Sequence, residues 1–401
     1  MLKSGAWLNL QRIRGYSLIL IGLWTVGIIG VLATSTGGLD FSGRPLGNDF
    51  SSMWTAGQLV LSGAPLDAYD MQAHYLAQSA AFLRADVAYD GWHYPWLYPP
   101  FFLIVAWALA LLPYGWALAL WMAVTFPLYL AVLRAIVPFP LALLAGAAFP
   151  AVAVNFIHGQ NAFLSTALLG TGLLLLERRP LLAGLAFGLL AFKPQFGILI
   201  PLVLVVDGRW RVIIAATLTV MALAAGATWA FGFAVWRAFL DNATVTRVEV
   251  LEQGAMGWEK LQSLFAALGA WGAEPAVGYA GQGALAVVVA SATVWLWRCR
   301  VDFALKAAGL CVGTLLLTPY VLDYDLVILG LSIVWMVDHG LKNGFLPWEK
   351  TVLAMAWAVP LFSRLVALMS TVPLGLLVMV LLFAVVLRRA AYDSRAVPTG
   401  S

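Results

Sequence analysis

Charge is scarce in this sequence. Only 10% of its 401 residues are Asp, Glu, Lys or Arg, while 62% are hydrophobic; a soluble domain carries roughly 25% charged residues. Too few ionic groups remain to build a hydrated surface, which excludes soluble enzymes and leaves the apolar surplus to face lipid. Cysteine is nearly absent. Cys299 and Cys311 lie beside or inside an apolar run, so neither a disulfide framework nor a thiolate metal site is expected. There is also no Walker loop, dinucleotide fingerprint, Cys/His metal cluster or Ser-His-Asp spacing, which disfavours nucleotide-driven chemistry. The net charge of +4 does not point to nucleic acid, because the basic residues sit singly or in pairs between apolar runs. There they act as topology signals.

What the sequence does have is apolar runs of membrane-spanning length, recurring from Tyr16 to Leu387. They predict an all-α integral membrane protein, with one polytopic domain over 1–390 and a flexible tail over 391–401. The first run is too long for a signal-peptide core and is expected to be retained. Lys3, Arg12 and Arg14 precede it, which places the N-terminus in the cytoplasm and the chain from Gly37 onward outside. The stretch from Gly37 to Leu97 is polar and holds Asp40, Asp49, Asp67, Asp70, Asp86 and Asp90, with Trp92, Tyr94, Trp96 and Tyr98 near its end. Phe101 to Leu112 is shorter than the roughly twenty residues that cross a bilayer core and reads as an interfacial or re-entrant helix.

The further spans are expected near 115–133, 139–157, 162–177, 181–192, 195–206, 212–234, 281–297, 303–318, 325–338, 350–367 and 372–387, about twelve transmembrane helices in all. The stretch 181–206 is split at Lys193-Pro194 to keep parity. Sixteen of the 23 basic residues then fall inside, and both termini are cytoplasmic.

With that topology the unusual polar residues gather at the outer ends of spans. Asp49 follows Gly47-Asn48 at the start of a helical pattern, where an aspartate either caps the helix or takes a proton from a hydroxyl. Lys193 has no acid nearby in sequence; it either snorkels to the interface or meets an anion, for which a phosphate is the natural partner. His158, Gln160 and Asn161 suit sugar hydroxyls or a phosphate, or merely cap a span boundary. Asp323 and Asp325 could orient a substrate, or pair with Lys193 or an arginine. The aromatics ending at Tyr98 could stack on a sugar or a polyprenyl chain, or anchor the interface. The outer loop from Trp236 to Ala280, with Lys260, could lie over the site.

These residues together resemble the polyprenol-phosphate-dependent glycosyltransferases of the multi-span GT-C superfamily, specifically family 87. The resemblance runs over nearly the whole chain. It is carried by Gly47-Asn48-Asp49-Phe50 with Trp54-Thr55-Ala56-Gly57, Tyr98-Pro99-Pro100-Phe101, Gly159-Gln160-Asn161, Leu182-Ala183-Gly184 through Phe192-Lys193-Pro194-Gln195, and Thr318-Pro319-Tyr320 leading to Asp323-Tyr324-Asp325. It implies a GT-C-like helical fold with interfacial or re-entrant helices in the first outer loop, and a catalytic aspartate that falls on Asp49. It also implies a donor sugar, mannose or another hexose or pentose, on a polyprenyl phosphate, transferred with inversion to a lipid or glycan acceptor outside the cytoplasmic membrane. Relatives with a histidine near the tenth span differ from this chain, which has Asp323-Tyr324-Asp325 there.

On this reading Lys193, helped by Lys260 or Arg44, would hold the donor phosphate. Trp54, Tyr98, His158, Gln160, Asn161, Gln195, Tyr320, Asp323 and Asp325 would contact donor or acceptor. No metal or other cofactor is required if these cations hold the phosphate, although carboxylates near a phosphate could recruit a metal. The rival readings are a transporter or lipid flippase, whose sites lie near the midplane, and a non-catalytic envelope scaffold.

Overall fold

The computed structural model describes residues 1–82 and 92–396. Arg84, Asp86, Asp90 and residues 397–401 lie outside the described residues. The ordered elements are helices: α1 (Leu10–Thr34), α2 (Phe50–Leu61), α3 (Met71–Phe82), α4 (Leu103–Ala110), α5 (Tyr114–Ile136), α6 (Pro140–Ala147), α7 (Pro150–His158), α8 (Ala162–Leu175), α9 (Pro180–Leu189) and α10 (Leu199–Val206). They continue as α11 (Trp210–Phe231), α12 (Ala234–Thr246), α13 (Leu264–Ala270), α14 (Pro275–Arg298), α15 (Phe303–Leu317), α16 (Leu329–Asn343), α17 (Glu349–Ala358), α18 (Ser363–Ser370) and α19 (Leu374–Ala396). No β-strand occurs among the described residues.

The chain is a helical membrane protein, but the expected count of about twelve spans is not reached. Among the described residues, six helices are long and apolar enough to cross: α1, α5, α11, α14, α16 with its lead-in turn, and α19. Two bent pairs, α6 with α7 at 49° and α17 through α18 at 70°, raise the number to eight. The physical reason is length. Ala162–Leu175, Pro180–Phe192, Pro194–Val206 and Phe303–Leu317, each expected to cross, have only 10–17 residues, and at about 1.5 Å per residue they fall short of a core ~30 Å thick. Pro100–Ala110 is short as well, and packs beside α2 in the first loop. Proline sets several of these starts, with Pro140, Pro150, Pro180 and Pro194 at the first turns of their helices. α19 runs on to Ala396, into the segment expected as a flexible tail.

α16 and its lead-in turn form the centre of the bundle. Their most apolar window is 78% buried, against 6% for α1, which presents its side chains outward. α9 and α11 pack backbone to backbone because Gly184 and Gly188 are four apart on one face. A Cβ on Gly184 would come within 2.6 Å of the Val212 carbonyl oxygen, and one on Gly188 within 2.8 Å of that of Ala216. This small-residue stripe is how helices associate where lipid removes the hydrophobic incentive.

Charged groups concentrate at the two ends of α16. At its C-terminal end Arg389 donates to Asp393 at 2.9 Å and to Glu349 at 3.2 Å, and His339 meets Asp393 at 2.8 Å. At the other end lies the polar constellation anticipated from the sequence.

Candidate active site

Asp49 occupies the N-cap position of α2, yet its side chain makes no capping bond. The capping alternative is therefore not realised, and the carboxylate points across the bundle. Gln160 Nε2 donates to its Oδ2 at 3.0 Å, and His158 Nδ1 lies 3.6 Å from Oδ1.

The loop that presents these partners is built by a helix ending. α7 stops at His158, and Gly159 adopts φ 61°, the left-handed conformation that glycine enters without penalty. The Gln160 N–H bonds the Asn155 carbonyl at 3.1 Å and the Gly159 N–H that of Phe156 at 3.1 Å, a Schellman ending. The Asn155 side chain then locks the turn, donating to the Gln160 carbonyl at 3.0 Å and accepting from the Ala162 N–H at 3.1 Å. The Asp49 N–H bonds the His158 carbonyl at 3.1 Å, so the two loops are stitched through the backbone as well.

Gln160 has a determined orientation. Its Oε1 accepts from the Tyr98 hydroxyl at 3.0 Å and from the Asn161 N–H at 3.1 Å, which leaves its amide hydrogens for Asp49. Burial by itself would raise the Asp49 carboxyl. The interaction with His158, then Gln160, then the Lys260 charge outweigh it and hold the group below the usual carboxylate range. Asp49 is thus an ionised acceptor at neutral pH. Burial pushes the Tyr98 hydroxyl well above an ordinary phenol, so it remains a donor.

Lys193 falls where the chain breaks between two 3₁₀ turns, Leu190–Phe192 and Pro194–Gly197, as the proline predicted. Of the two pairings foreseen for the Asp323-Tyr324-Asp325 turn, both occur. Lys193 Nζ donates to Asp325 Oδ1 at 2.6 Å, with both side chains almost wholly buried, and Arg364 Nε donates to Asp323 Oδ2 at 2.6 Å. The loop between α12 and α13 is pinned to this turn by the Gln262 N–H, which bonds the Val321 carbonyl at 2.8 Å.

Between these elements lies a cavity of about 260 Å³, roughly nine water volumes at ~30 Å³ each and suited to a ligand of monosaccharide size. Asp49, Tyr98, Gln160, Lys193, Gln195 and Tyr320 line it. α12 and the turn after it, within the loop expected to lie over the site, add Asn242, Thr246, Arg247 and Met256.

Other expected contacts stand elsewhere. His158, Asn161, Asp323 and Asp325 are buried behind the wall rather than in it. Lys260 does not line the cavity, although its charge is felt at Asp49. Arg44 is exposed in a turn closed by its own N–H and the Asp40 carboxylate at 3.0 Å, away from the cavity. Trp54 donates to the Leu112 carbonyl at 3.0 Å and packs on Tyr114 and Phe82, on the side of α2 that faces away from the cavity.

Asn155, Arg247 and Arg364 were not foreseen as site residues. Arg247 is half exposed and brings a cation to the wall, where it pairs with the largely covered Glu252 at 3.6 Å. Among the described residues, no three His, Cys, Asp or Glu side chains converge as metal ligands would.

Comparison with curated proteins and with solved structures gives no match. The model of glycosyltransferase family 87 matches residues 96–319, a narrower stretch than the near-complete resemblance expected; Asp49 and Arg364 fall outside it. With more than half of its length matched and a helical membrane fold, the chain belongs to glycosyltransferase family 87 and is a membrane glycosyltransferase.

Proposed function

We propose that the protein transfers a sugar from a polyprenyl phosphate to a hydroxyl of a lipid or glycan acceptor, with inversion, on the outer side of the cytoplasmic membrane. The observation that carries this is Asp49: an ionised carboxylate, held by His158 and Gln160 rather than by its own helix, at the wall of a sugar-sized cavity. The acceptor O–H proton passes to Asp49 while the acceptor oxygen attacks the anomeric carbon. The bond from that carbon to the phosphate oxygen breaks, its electron pair stays with the departing polyprenyl phosphate, and configuration inverts.

Negative charge growing on that oxygen calls for cations at the wall. Lys193 retains donors beyond its bond to Asp325, Arg247 stands at the wall beside Glu252, and the Lys260 charge acts from behind it. Tyr98, Gln195, Tyr320 and Asn242 are placed to hold hydroxyls of either substrate. A donor that travels in the membrane suits a site between membrane helices, and mannose is the first sugar to test. No metal or cofactor is needed for these steps.

The test is purified protein in lipid nanodiscs with radiolabelled mannosyl polyprenyl phosphate, and separately with other polyprenyl-linked hexoses and pentoses, in the presence of a membrane lipid extract. Labelled product from wild type, absent with Asp49→Asn, is the expected result. Equal transfer by both proteins would overturn the assignment of the base.

A further inference from the structure

Arg364 counts only as one of the outward basic residues in the sequence, yet it reaches the base through a single ring. The 70° break between α17 and α18 turns Arg364 inward beside a buried Ser363, while Leu365, Leu368 and Met369 of the same helix stay exposed. Its Nε and one terminal nitrogen both meet Asp323 Oδ2, each at 2.6 Å. That same terminal nitrogen lies 3.1 Å from His158 Nε2. Asp323 is held in turn, its other oxygen accepting from the Tyr324 N–H at 2.9 Å.

A guanidinium has only donors and does not give up its proton. His158 Nε2 therefore accepts, and the ring hydrogen of a neutral imidazole is left on Nδ1, the atom 3.6 Å from Asp49 Oδ1. This separation exceeds a hydrogen bond and is of the kind that tightens on substrate binding.

We infer that Arg364 is a positioning residue: by donating to His158 Nε2 it holds the imidazole neutral with Nδ1–H toward Asp49, and so keeps Asp49 as the proton acceptor of the site. The role assigned to Asp49 rests on the proposed function; the tautomer does not. Without Arg364, two other states open. The Nε2–H tautomer would turn a lone pair on the carboxylate, and an imidazolium would pair with Asp49 and weaken it as a base.

The other groups facing the ring are few. The Asp323–Ile328 turn supplies Tyr324, whose ring centre is 5.9 Å away, and Asp323 through Arg364. α8 and the Val359–Leu361 turn have no titratable side chain, and α1 carries its own, Arg12, Arg14 and Tyr16, in its first two turns.

The tautomer can be read directly, because the chain has only four histidines. Full-length protein with ¹⁵N-labelled histidine is examined in nanodiscs by NMR, the His158 signals being assigned with His158→Gln. Wild type is expected to show Nδ1 protonated and Nε2 bare. Arg364→Gln is expected to show mixed tautomers, with kcat lowered on the order of tenfold and KM unchanged. Arg364→Lys, a point donor without the fork, should retain part of the wild-type signal.

The His339 signals, from the far end of α16, report whether a variant is folded; if Arg364→Gln is not, Arg364→Lys is the variant read. An Nε2–H or cationic His158 in wild type, or the same tautomer in the folded variant, would overturn the inference. Transfer surviving Asp49→Asn would instead sink the base assignment and leave the tautomer result standing.

Discussion

His158 with Asp49 lies near one end of α16, and His339 with Asp393 at the other, and the two pairs differ in what surrounds them. His339 Nε2 meets Asp393 at 2.8 Å, while its Nδ1 faces Asn343 at 3.3 Å and Asp302 at 4.0 Å. Both Asp393 oxygens are engaged, since Arg389 Nε reaches them at 2.9 and 3.1 Å. His158 instead has a cation on its outer nitrogen, and Asp49 keeps lone pairs toward a cavity. Nearness of imidazole to carboxylate thus separates nothing. What decides is the group on the second ring nitrogen and whether the carboxylate can reach a ligand.

The largest expected effect separates the two aspartates by activity. Asp49→Asn should lower the transfer rate by about 10²–10⁴, the usual scale for a general base, whereas Asp393→Asn should leave turnover near wild type in the same nanodisc assay. Equal losses would erase the distinction between the two ends.

Next come the buried cations, one from each end. Arg389→Ala leaves Glu349 buried without its partner, and Lys193→Ala does the same to Asp325; breaking such a pair costs about 3–5 kcal/mol. Thermal unfolding in detergent should show both losses. Adding Asp325→Asn to Lys193→Ala should restore most of the stability without restoring donor affinity.

A smaller effect is a shift in pH dependence. Gln160 stabilises the charged form of Asp49 and helps hold it below the usual carboxylate range, so activity should survive to pH values below that range. Gln160→Leu removes that support, raises the carboxyl, and should move the acidic limb of kcat/KM to higher pH; a limb that stays put or moves down would contradict the contact. The smallest effect is expected at Arg44. Arg44→Ala lies outside the cavity and should change stability by no more than about 0.5 kcal/mol, with donor KM unaltered.

Much of this was legible before any coordinates. Lys193-Pro194 marked a helix break because proline cannot continue one, and the break is there. The pairing options of Asp323 and Asp325 followed from the cost of leaving charge near hydrocarbon, and both were used. The span count was not legible. Hydropathy registers apolar length but not burial, and α8, α9, α10 and α15, too short to cross, are as apolar as helices that do. Arg364 was invisible as a site residue because its partners, Asp323 and His158, lie 41 and 206 positions away. No local pattern reports such a separation.

The sequence alone therefore determined the solvent, the helical class and the places where the chain must break, because these depend on composition and on backbone chemistry within a few residues. Only the tertiary structure decided which polar groups meet: that Asp49 turns from its cap to Gln160, that Lys193 pairs with Asp325, and that Arg364 meets the His158 ring beside Asp49. The physical reason is that a charge in a low-dielectric interior must find a partner, and which partner it finds depends on how distant helices pack.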